Sequence, residues 1–362
     1  MIARASESPR IGRPLSIGPV ALRTNLLLAP VANYCDLAFR IVCREASGAG
    51  AGLGLACTDL LSPQGLLRGT ARSLDLAQTH ELDKPICMQL YGGDPEVLAQ
   101  GAVWAVEHGA DVIDINMGCP VDKVTKKDGG SKLLCDVPNT IAIVRRVVSE
   151  VERASRGRVP VTAKLRLGWD DGSIVAPDLA RRLEREGIAL VTVHGRTTEQ
   201  KFKGSVRLPG IREVVQAVDA IPVLGNGDVT DVESGLTMMR ESGCAGLMIG
   251  RGAFSAPWIF RDIWHAQVRG EVLAEPGEAE KIAIVRRYLD LMIGFRGEHY
   301  AMTHMRRRIS WYSKKLGPCK PLKEAVRTAP DPSSVHRALD EFLAGGLRMF
   351  PAGEPECAES ID

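Results

Sequence analysis

Short apolar runs alternate with amphipathic segments along most of the chain. The runs are Leu26–Pro30, Gly52–Thr58, Ile86–Tyr91, Val112–Asn116, Val161–Leu167, Leu190–Gly195, Pro222–Gly227 and Gly246–Gly252. Each has the length and composition of a strand buried on both faces. Between them, apolar residues three and four apart predict helices. These are Asp36–Ala46 with Asp36 as N-cap, Asp94-Pro95 to Glu107, Val137–Val151, Pro177–Arg185, Leu208–Val218, Asp231–Arg240 and Ala256–Val268, with a shorter segment at Ser62–Ala71. Gly109, Gly187 and Gly243 follow periodic segments, as helix-ending glycines do. Alternating strand and helix predicts a parallel α/β sheet. Eight repeats over about 240 residues predict the closed (β/α)8 TIM barrel rather than an open doubly wound sheet. No G-x-G-x-x-G follows the first run, which argues against a dinucleotide-binding sheet. Residues 1–22 read as an irregular lead-in and 23–272 as the barrel.

The pattern changes after Pro276-Gly277. Glu278–Gly294, His299–Leu316 and Ser334–Ala344 read as helices with no strand among them. A small all-helical domain, 278–350, is expected, followed by a tail, 351–362. Charge follows the same boundary. From Lys281 to Arg327 there are twelve Lys/Arg against three Asp/Glu, leaving 34 basic against 41 acidic elsewhere. The net charge of +2 thus conceals a basic helical region on an acidic body. Local excess of this kind is an electrostatic footprint for a polyanion. Arg306, Arg307, Arg308, Lys314 and Lys315, with Trp311 and Tyr312 between, combine phosphate-binding charge with stacking surface. Either aromatic serves equally well as core.

At 45% hydrophobic, the 362 residues suffice for a large core. No apolar run reaches the roughly 18 residues of a membrane span, and the N-terminus lacks the order of a signal peptide. Nine cysteines are scattered without CxxC pairs. A disulfide framework or metal site is not expected, and a reducing cytoplasm is. Cys35, Cys43, Cys57, Cys87, Cys135 and Cys244 read as small apolar fillers.

In such a barrel the chemistry sits at the C-terminal strand ends. Here those ends carry Pro30, Gln89, Asn116, Lys164, His194, Asn226 with Asp228, and Gly250-Arg251. Asp111–Pro120 is the most informative stretch: a buried run opens at Asn116 into a loop broken by Gly118 and Pro120, which presents Cys119. Gly225-Asn226-Gly227-Asp228 and Ile249-Gly250-Arg251-Gly252 follow the last two strands, where barrels commonly bind phosphate through backbone N–H groups.

Several ordered motifs resemble those of the tRNA-dihydrouridine synthases, the bacterial B-type branch most closely. They are Ala29-Pro30, Gln89-Leu-Tyr-Gly92, Asp114-Ile-Asn-Met-Gly-Cys-Pro120 with Lys123-Val124, Lys164-Leu-Arg-Leu-Gly-Trp169, His194-Gly-Arg-Thr197 with Gln200, Gly225-Asn-Gly-Asp228, and Met248-Ile-Gly-Arg-Gly252 with Pro257-Trp258. The likeness runs from about Leu28 to Arg327 and implies an FMN-binding barrel followed by a helical tRNA-binding domain. It implies that Pro30, Val31 and Ala32 lie against the flavin and that Gln89 and Lys164 bond its ring edge. His194 falls near the ribityl and phosphate end, and Asn226, Gly227, Asp228, Gly250 and Arg251 hold the phosphate. Cys119 becomes the proton donor, and a thiol with an ordinary pKa near 8.5 is mostly protonated at neutrality. Asn116, Lys123, Arg166, Arg196 and Gln200 fall on the substrate side, with Lys126 and Lys127 following. NADPH (or NADH) is the implied electron donor, and the chain is expected to act as a monomer. The chain departs from the family at Val31-Ala-Asn-Tyr-Cys35, at Phe202, where a tyrosine is common, and at Ser205–Leu208.

Three other classes fit parts of the pattern. One is an FMN barrel acting on a free small molecule. Another is an aldolase-like barrel with Lys164 as a Schiff-base nucleophile. The third is an RNA-binding protein that has lost catalysis, against which Cys119 in an otherwise complete rim argues.

Overall fold

The computed structural model describes residues 12–48, 52–125 and 128–350. Eight parallel strands close into a barrel: β1 Leu26–Leu28, β2 Leu55–Cys57, β3 Ile86–Leu90, β4 Val112–Met117, β5 Val161–Arg166, β6 Val191–His194, β7 Val223–Asn226 and β8 Gly246–Ile249. Each falls on one of the eight apolar runs, β4 reaching one residue past its run to Met117, and β8 pairs back onto β1 through Leu247–Leu26.

Helices follow where the apolar spacing predicts them. Asp36 caps Leu37–Ala46 through Phe39 N, and Asp94 caps Pro95–Glu107 through Glu96 N and Val97 N. Gly243 ends Val232–Ser242 in the left-handed region, at φ 72°. Two expectations change. Ser62–Ala71 is not one segment: Pro63–Leu67 and Ala71–Leu76 are separate helices, with Gly69 at φ 62° between them. The last barrel helix begins at Ile259 rather than Ala256, after a separate turn at Gly252–Ser255.

The described part of the lead-in is ordered. Ser16–Ile17 pairs antiparallel with Val20–Ala21, and Leu15, Ile17 and Leu22 are buried against Leu27, Leu55, Val112 and Leu224. This ribbon closes the N-terminal end of the barrel.

The chain divides into two compact units, 1–253 with 257–273, and 254–256 with 274–362. The second is helical: Glu278–Arg296, Glu298–Tyr312, Lys320–Thr328 and Pro332–Leu343, around a core that includes Ile282, Tyr288, Met305, Leu322, Leu339 and Phe342. The helix Lys320–Thr328 was not among the predicted segments. Among the described residues no helix is long and apolar enough to cross a membrane, and no three His, Cys, Asp or Glu cluster as metal ligands.

Candidate active site

Residues two apart on a strand share a face. On β3 to β7 that rule points Gln89, Asp114, Asn116, Thr162, Lys164, Arg166, His194 and Asn226 inward, while Ile113, Ile115, Ala163, Leu165, Val193 and Val223 meet the helices. The inward groups form a connected network. Thr162 Oγ1 donates to Asp114 Oδ1 at 2.6 Å and Gln89 Nε2 to Asp114 Oδ2 at 2.7 Å. Asn116 Nδ2 donates to Gln89 Oε1 at 2.8 Å. The Gln89 oxygen is therefore taken within the protein, and the second N–H of each amide is what remains for a ligand. Burial pushes the Asp114 carboxyl above its ordinary value, against the pull of Gln89, Thr162 and Lys164.

The other amide oxygen fixes the Cys119 loop. Asn116 Oδ1 accepts from Cys119 N at 3.0 Å, and Arg166 Nε donates to Gly118 O at 2.8 Å. Ser131 N donates to Cys119 O at 3.0 Å. Gly130 passes so close that a Cβ there would lie 2.6 Å from Cys119 O, and its φ of 62° also demands glycine. The Cys119 thiol is half-buried. Burial raises its pKa, while Val121 N, Arg166 and Lys164 pull the other way, so it remains a protonated thiol at neutral pH.

Lys164 Nζ donates to Asn226 Oδ1 at 2.7 Å, and Asn226 Nδ2 donates to Met248 O at 2.6 Å. Burial and the neighbouring Arg166 bring the Lys164 ammonium down to about 8. Arg196 Nη1 donates to His194 Nε2 at 3.3 Å. An arginine can only donate, so Nε2 carries the lone pair and Nδ1 the proton. Burial, then Lys164, Arg166, Arg196 and Arg251, push His194 down to about 2, which keeps it neutral.

Arg166 and Arg196, expected on the substrate side, are buried and largely engaged within the protein. Arg166 Nη1 donates to Thr197 O and Lys201 O at 2.7 and 2.8 Å. Arg196 pairs with Asp228 at 2.6 Å, and Asp228 Oδ2 also accepts from Val206 N at 3.0 Å. The Asp228 carboxylate thus braces Arg196 and the 204–206 loop, which leaves backbone N–H groups as what this turn offers a phosphate. Gly227 is required there: its φ is 111°, and a Cβ would lie 2.4 Å from Val206 and 2.8 Å from His194. Gln200 spends its amide on Thr197 N, Lys203 O and Ser205 O.

At the mouth, Pro30, Val31 and Ala32 open the loop after β1. Cys35 Sγ accepts from Val31 N at 3.3 Å and donates to Ala29 O at 3.0 Å. Asp59 accepts from Asn33 N and Cys35 N. Burial and Asp36 push this carboxyl up to about 6. Neither clasp was assigned from sequence. Phe202, 56% exposed, stands over the rim, its ring centre 5.4 Å from Arg166 Cζ, 5.3 Å from Arg251 Cζ and 6.4 Å from the His194 ring. Lys123 lies in a short helix, Asp122–Thr125, and Lys126 and Lys127 lie outside the described residues.

In the helical unit, Arg306, Arg307 and Lys314 are exposed, while Lys315 pairs with Glu275 at 3.2 Å. Arg308 corrects the expectation for it. It is buried, its guanidinium 4.9 Å from the Tyr288 ring and 5.7 Å from that of Phe254, because it falls in the apolar stripe with Met305, Ile309 and Tyr312. Tyr312 belongs to that core, and Trp311 is half-buried with Lys314 Nζ 3.9 Å from its ring centre. Cys135, read as a filler, is exposed at the end of the 3-10 turn Gly130–Cys135.

A closed parallel barrel with its polar groups gathered at the carboxyl ends of the strands is the architecture of a TIM-barrel enzyme. A family model described as dihydrouridine synthase matches residues 27–344, and the chain belongs to that family. Among curated relatives, a tRNA-dihydrouridine synthase B from Xanthomonas axonopodis is 34% identical over 335 residues, covering 91% of this chain and 97% of its own. Probable tRNA-dihydrouridine synthases from Mycobacterium tuberculosis and Rickettsia conorii are 36% and 33% identical, covering 93% and 91% of this chain and 86% and 96% of theirs. Among solved structures, a 2-naphthoyl-CoA reductase in complex with 2-naphthoyl-CoA superposes with TM-score 0.54 at 10% identity, over 71% of this chain and 52% of that one. A histamine dehydrogenase from Rhizobium does so with TM-score 0.53 at 13% identity, over 78% and 51%. These two likenesses concern the fold alone.

Proposed function

We propose that this protein reduces the C5–C6 bond of a uridine in tRNA to give 5,6-dihydrouridine, with FMN as its resident cofactor. The observation that carries the reading is Cys119, its backbone loop held by Asn116 and Arg166 at the mouth of a cation-lined barrel, with burial keeping its thiol protonated.

The residues present fit a flavin phosphate and an electron-rich ring. Burial first, and then Lys164, Arg166, Arg196 and Arg251 together, drive His194 down to about 2, and these four cations give the rim a positive potential that an anion relieves. Thr192, in register with Lys164, has a buried hydroxyl with no partner among the described residues. When bound, FMN supplies the hydride that adds to C6, recharged by a nicotinamide donor such as NADPH.

The chain's own groups do the rest. Pro30, Val31 and Ala32 flank the ring, and Cys35 and Asp59 hold their loop. The free N–H of Gln89 and the remaining protons of Lys164 meet the ring edge, where the ammonium stabilises developing negative charge. The His194 Nδ1 proton, Arg251 and the backbone of Gly227, Asp228 and Gly250 hold the phosphate. Asn116 orients the base, and Cys119 delivers its proton to C5. The uridine is extruded from folded tRNA to reach this rim, with the exposed cations of the helical unit gripping the backbone.

The purified chain should carry flavin and, given NADPH, form dihydrouridine in a tRNA transcript that lacks it. Comparing tRNA from a strain lacking the chain with its parent, position by position, identifies the target uridine. A tRNA profile identical in the two strains would refute the proposal.

A further inference from the structure

Six cations of the helical unit gather on two neighbouring helices without a carboxylate partner among the described residues. Arg306, Arg307 and Lys314 lie along Glu298–Tyr312 and the turn that follows it. Lys320, Lys323 and Arg327 lie three and four apart on Lys320–Thr328. The two rows are joined where Arg327 Nη2 donates to Ser310 Oγ at 2.8 Å and Arg306 Nη2 to Ala329 O at 3.3 Å. Lys323 is half-buried and the others are exposed. Glu324 shares the helix but makes no ion pair with them. Other surface arginines do have carboxylate partners, among them Arg145 with Glu186, Arg240 with Glu233 and Arg348 with Glu278.

The chain leaves this unit beside that face. Leu322 N donates to Leu347 O at 3.1 Å and Met349 N to Pro318 O at 3.0 Å, so Phe350 follows a strand of chain fastened at the start of Lys320–Thr328. The next segment, 351–362, carries Glu354, Glu356, Glu359 and Asp362 and no Lys or Arg. Twelve residues span up to about 40 Å, close to three times the roughly 14 Å of that helix.

We propose that the acidic segment 351–362 docks on this face and competes there with RNA phosphates. Tethering gives it a local concentration of order millimolar, so weak, salt-screened ion pairs suffice to occupy the face. A folded RNA that places many phosphates at once displaces it, and a short or poorly fitting RNA does not. The segment thereby sharpens selection at the face. The competition rests on the reading of this face as the RNA grip; the docking itself does not.

Two readouts separate these. In the full chain, an amine–thiol cross-linker anchored at Cys357 should join Lys314, Lys320 and Lys323 ahead of other lysines by mass spectrometry. Cross-links spread evenly over the surface overturn the docking, whatever the substrate is. For the competition, Glu354→Gln, Glu356→Gln, Glu359→Gln and Asp362→Asn together, or deletion of 351–362, should tighten binding of a tRNA transcript about three- to tenfold at low salt. The difference should vanish at high salt. Equal affinity at low salt, or a gap that persists at high salt, overturns it. Failure of the uridine-reduction reading would leave the cross-links in place.

Discussion

At the amino ends of its strands the barrel interior is filled by Leu15, Ile17, Leu22, Leu27, Leu55 and Leu224. Towards the carboxyl ends of β3 to β7 it carries Gln89, Asp114, Asn116, Lys164, His194 and Asn226. Leu224 and Asn226 are two residues apart on β7 and face the same interior. The first end minimises free energy by excluding water, with no polar atom to satisfy. The second keeps a carboxyl, a lysine, a neutral histidine and three amides together, each hydrogen-bonded, with Lys164 repelled by the neighbouring Arg166. What the contrast teaches is a division of labour along one strand: stability is concentrated below and chemistry above. Substitutions in the two ends should therefore fail in opposite ways.

The largest effect expected is on chemistry without stability. Cys119→Ala should retain bound flavin and the wild-type Tm, yet lose about 10²- to 10⁴-fold in dihydrouridine formation, the usual worth of a positioned acid. Turnover equal to wild type would remove the proton-donor role. Next comes stability without chemistry. Ile17→Ala, in the ribbon that closes the bottom, should cost about 2–4 kcal/mol in denaturant unfolding. Turnover per folded molecule should hardly change, and a comparable loss of kcat would show that the two ends are not separable.

The same division explains what could be read from sequence. The eight strands were legible because buried strands are short, apolar and bounded by glycine. Asp36 and Asp94 were legible as caps because their side chains stand just ahead of apolar periodicity. Gln89, Asn116, Lys164, His194 and Asn226 stood out as polar interruptions at run ends. Asp114 and Thr162 did not, because they sit inside runs otherwise apolar, and only the alternation of faces separates them from Ile113 and Ala163. Arg308 was misread for the converse reason: a run of three arginines looks solvated, yet its third member falls in register with Met305, Ile309 and Tyr312. The ribbon at Ser16–Ala21 is too short for any periodicity, and Lys320–Thr328 buries little beyond Leu322 and Val326. The clasp of Asp59 on the 33–35 loop depends on a tertiary approach that no local pattern encodes.

A third substitution tests whether the upper end is held under strain for function. Lys164 sits at about 8 in the folded chain, below its ordinary value near 10.5, so folding disfavours its charge. Between those two values the unfolded chain binds more protons, and flavin-free stability should rise as pH climbs through that window. Below pH 8 the penalty is fully present. Lys164→Met should thus raise the Tm of flavin-free protein at pH 7, by about 1–3 kcal/mol in stability, while weakening flavin retention. A lower Tm would mean that the hydrogen bond to Asn226 outweighs the cost of burying the charge.

The smallest effect near neutrality concerns His194, and it separates the two ends by pH alone. Its folded value of about 2 lies below the ordinary 6.5. By about pH 8 both folded and unfolded chains carry it almost wholly neutral, so it contributes little to the pH dependence from there upward. As pH falls from 6.5 towards 2 the unfolded chain takes up a proton that the folded chain refuses, because the ring is buried and Lys164, Arg166, Arg196 and Arg251 lie around it. Stability is lost across that window, approaching a slope of about 1.4 kcal/mol per pH unit for this one group. His194→Gln keeps an acceptor for Arg196 and cannot titrate. Its acid-unfolding curve should be shallower than wild type between pH 6 and 4 and match it in slope above about pH 8. Ile17→Ala, by contrast, should lower the whole curve without changing its shape. If His194→Gln instead shifts the curve uniformly, the histidine is a packing element, and the positive field at the rim is weaker than its neutral ring implies.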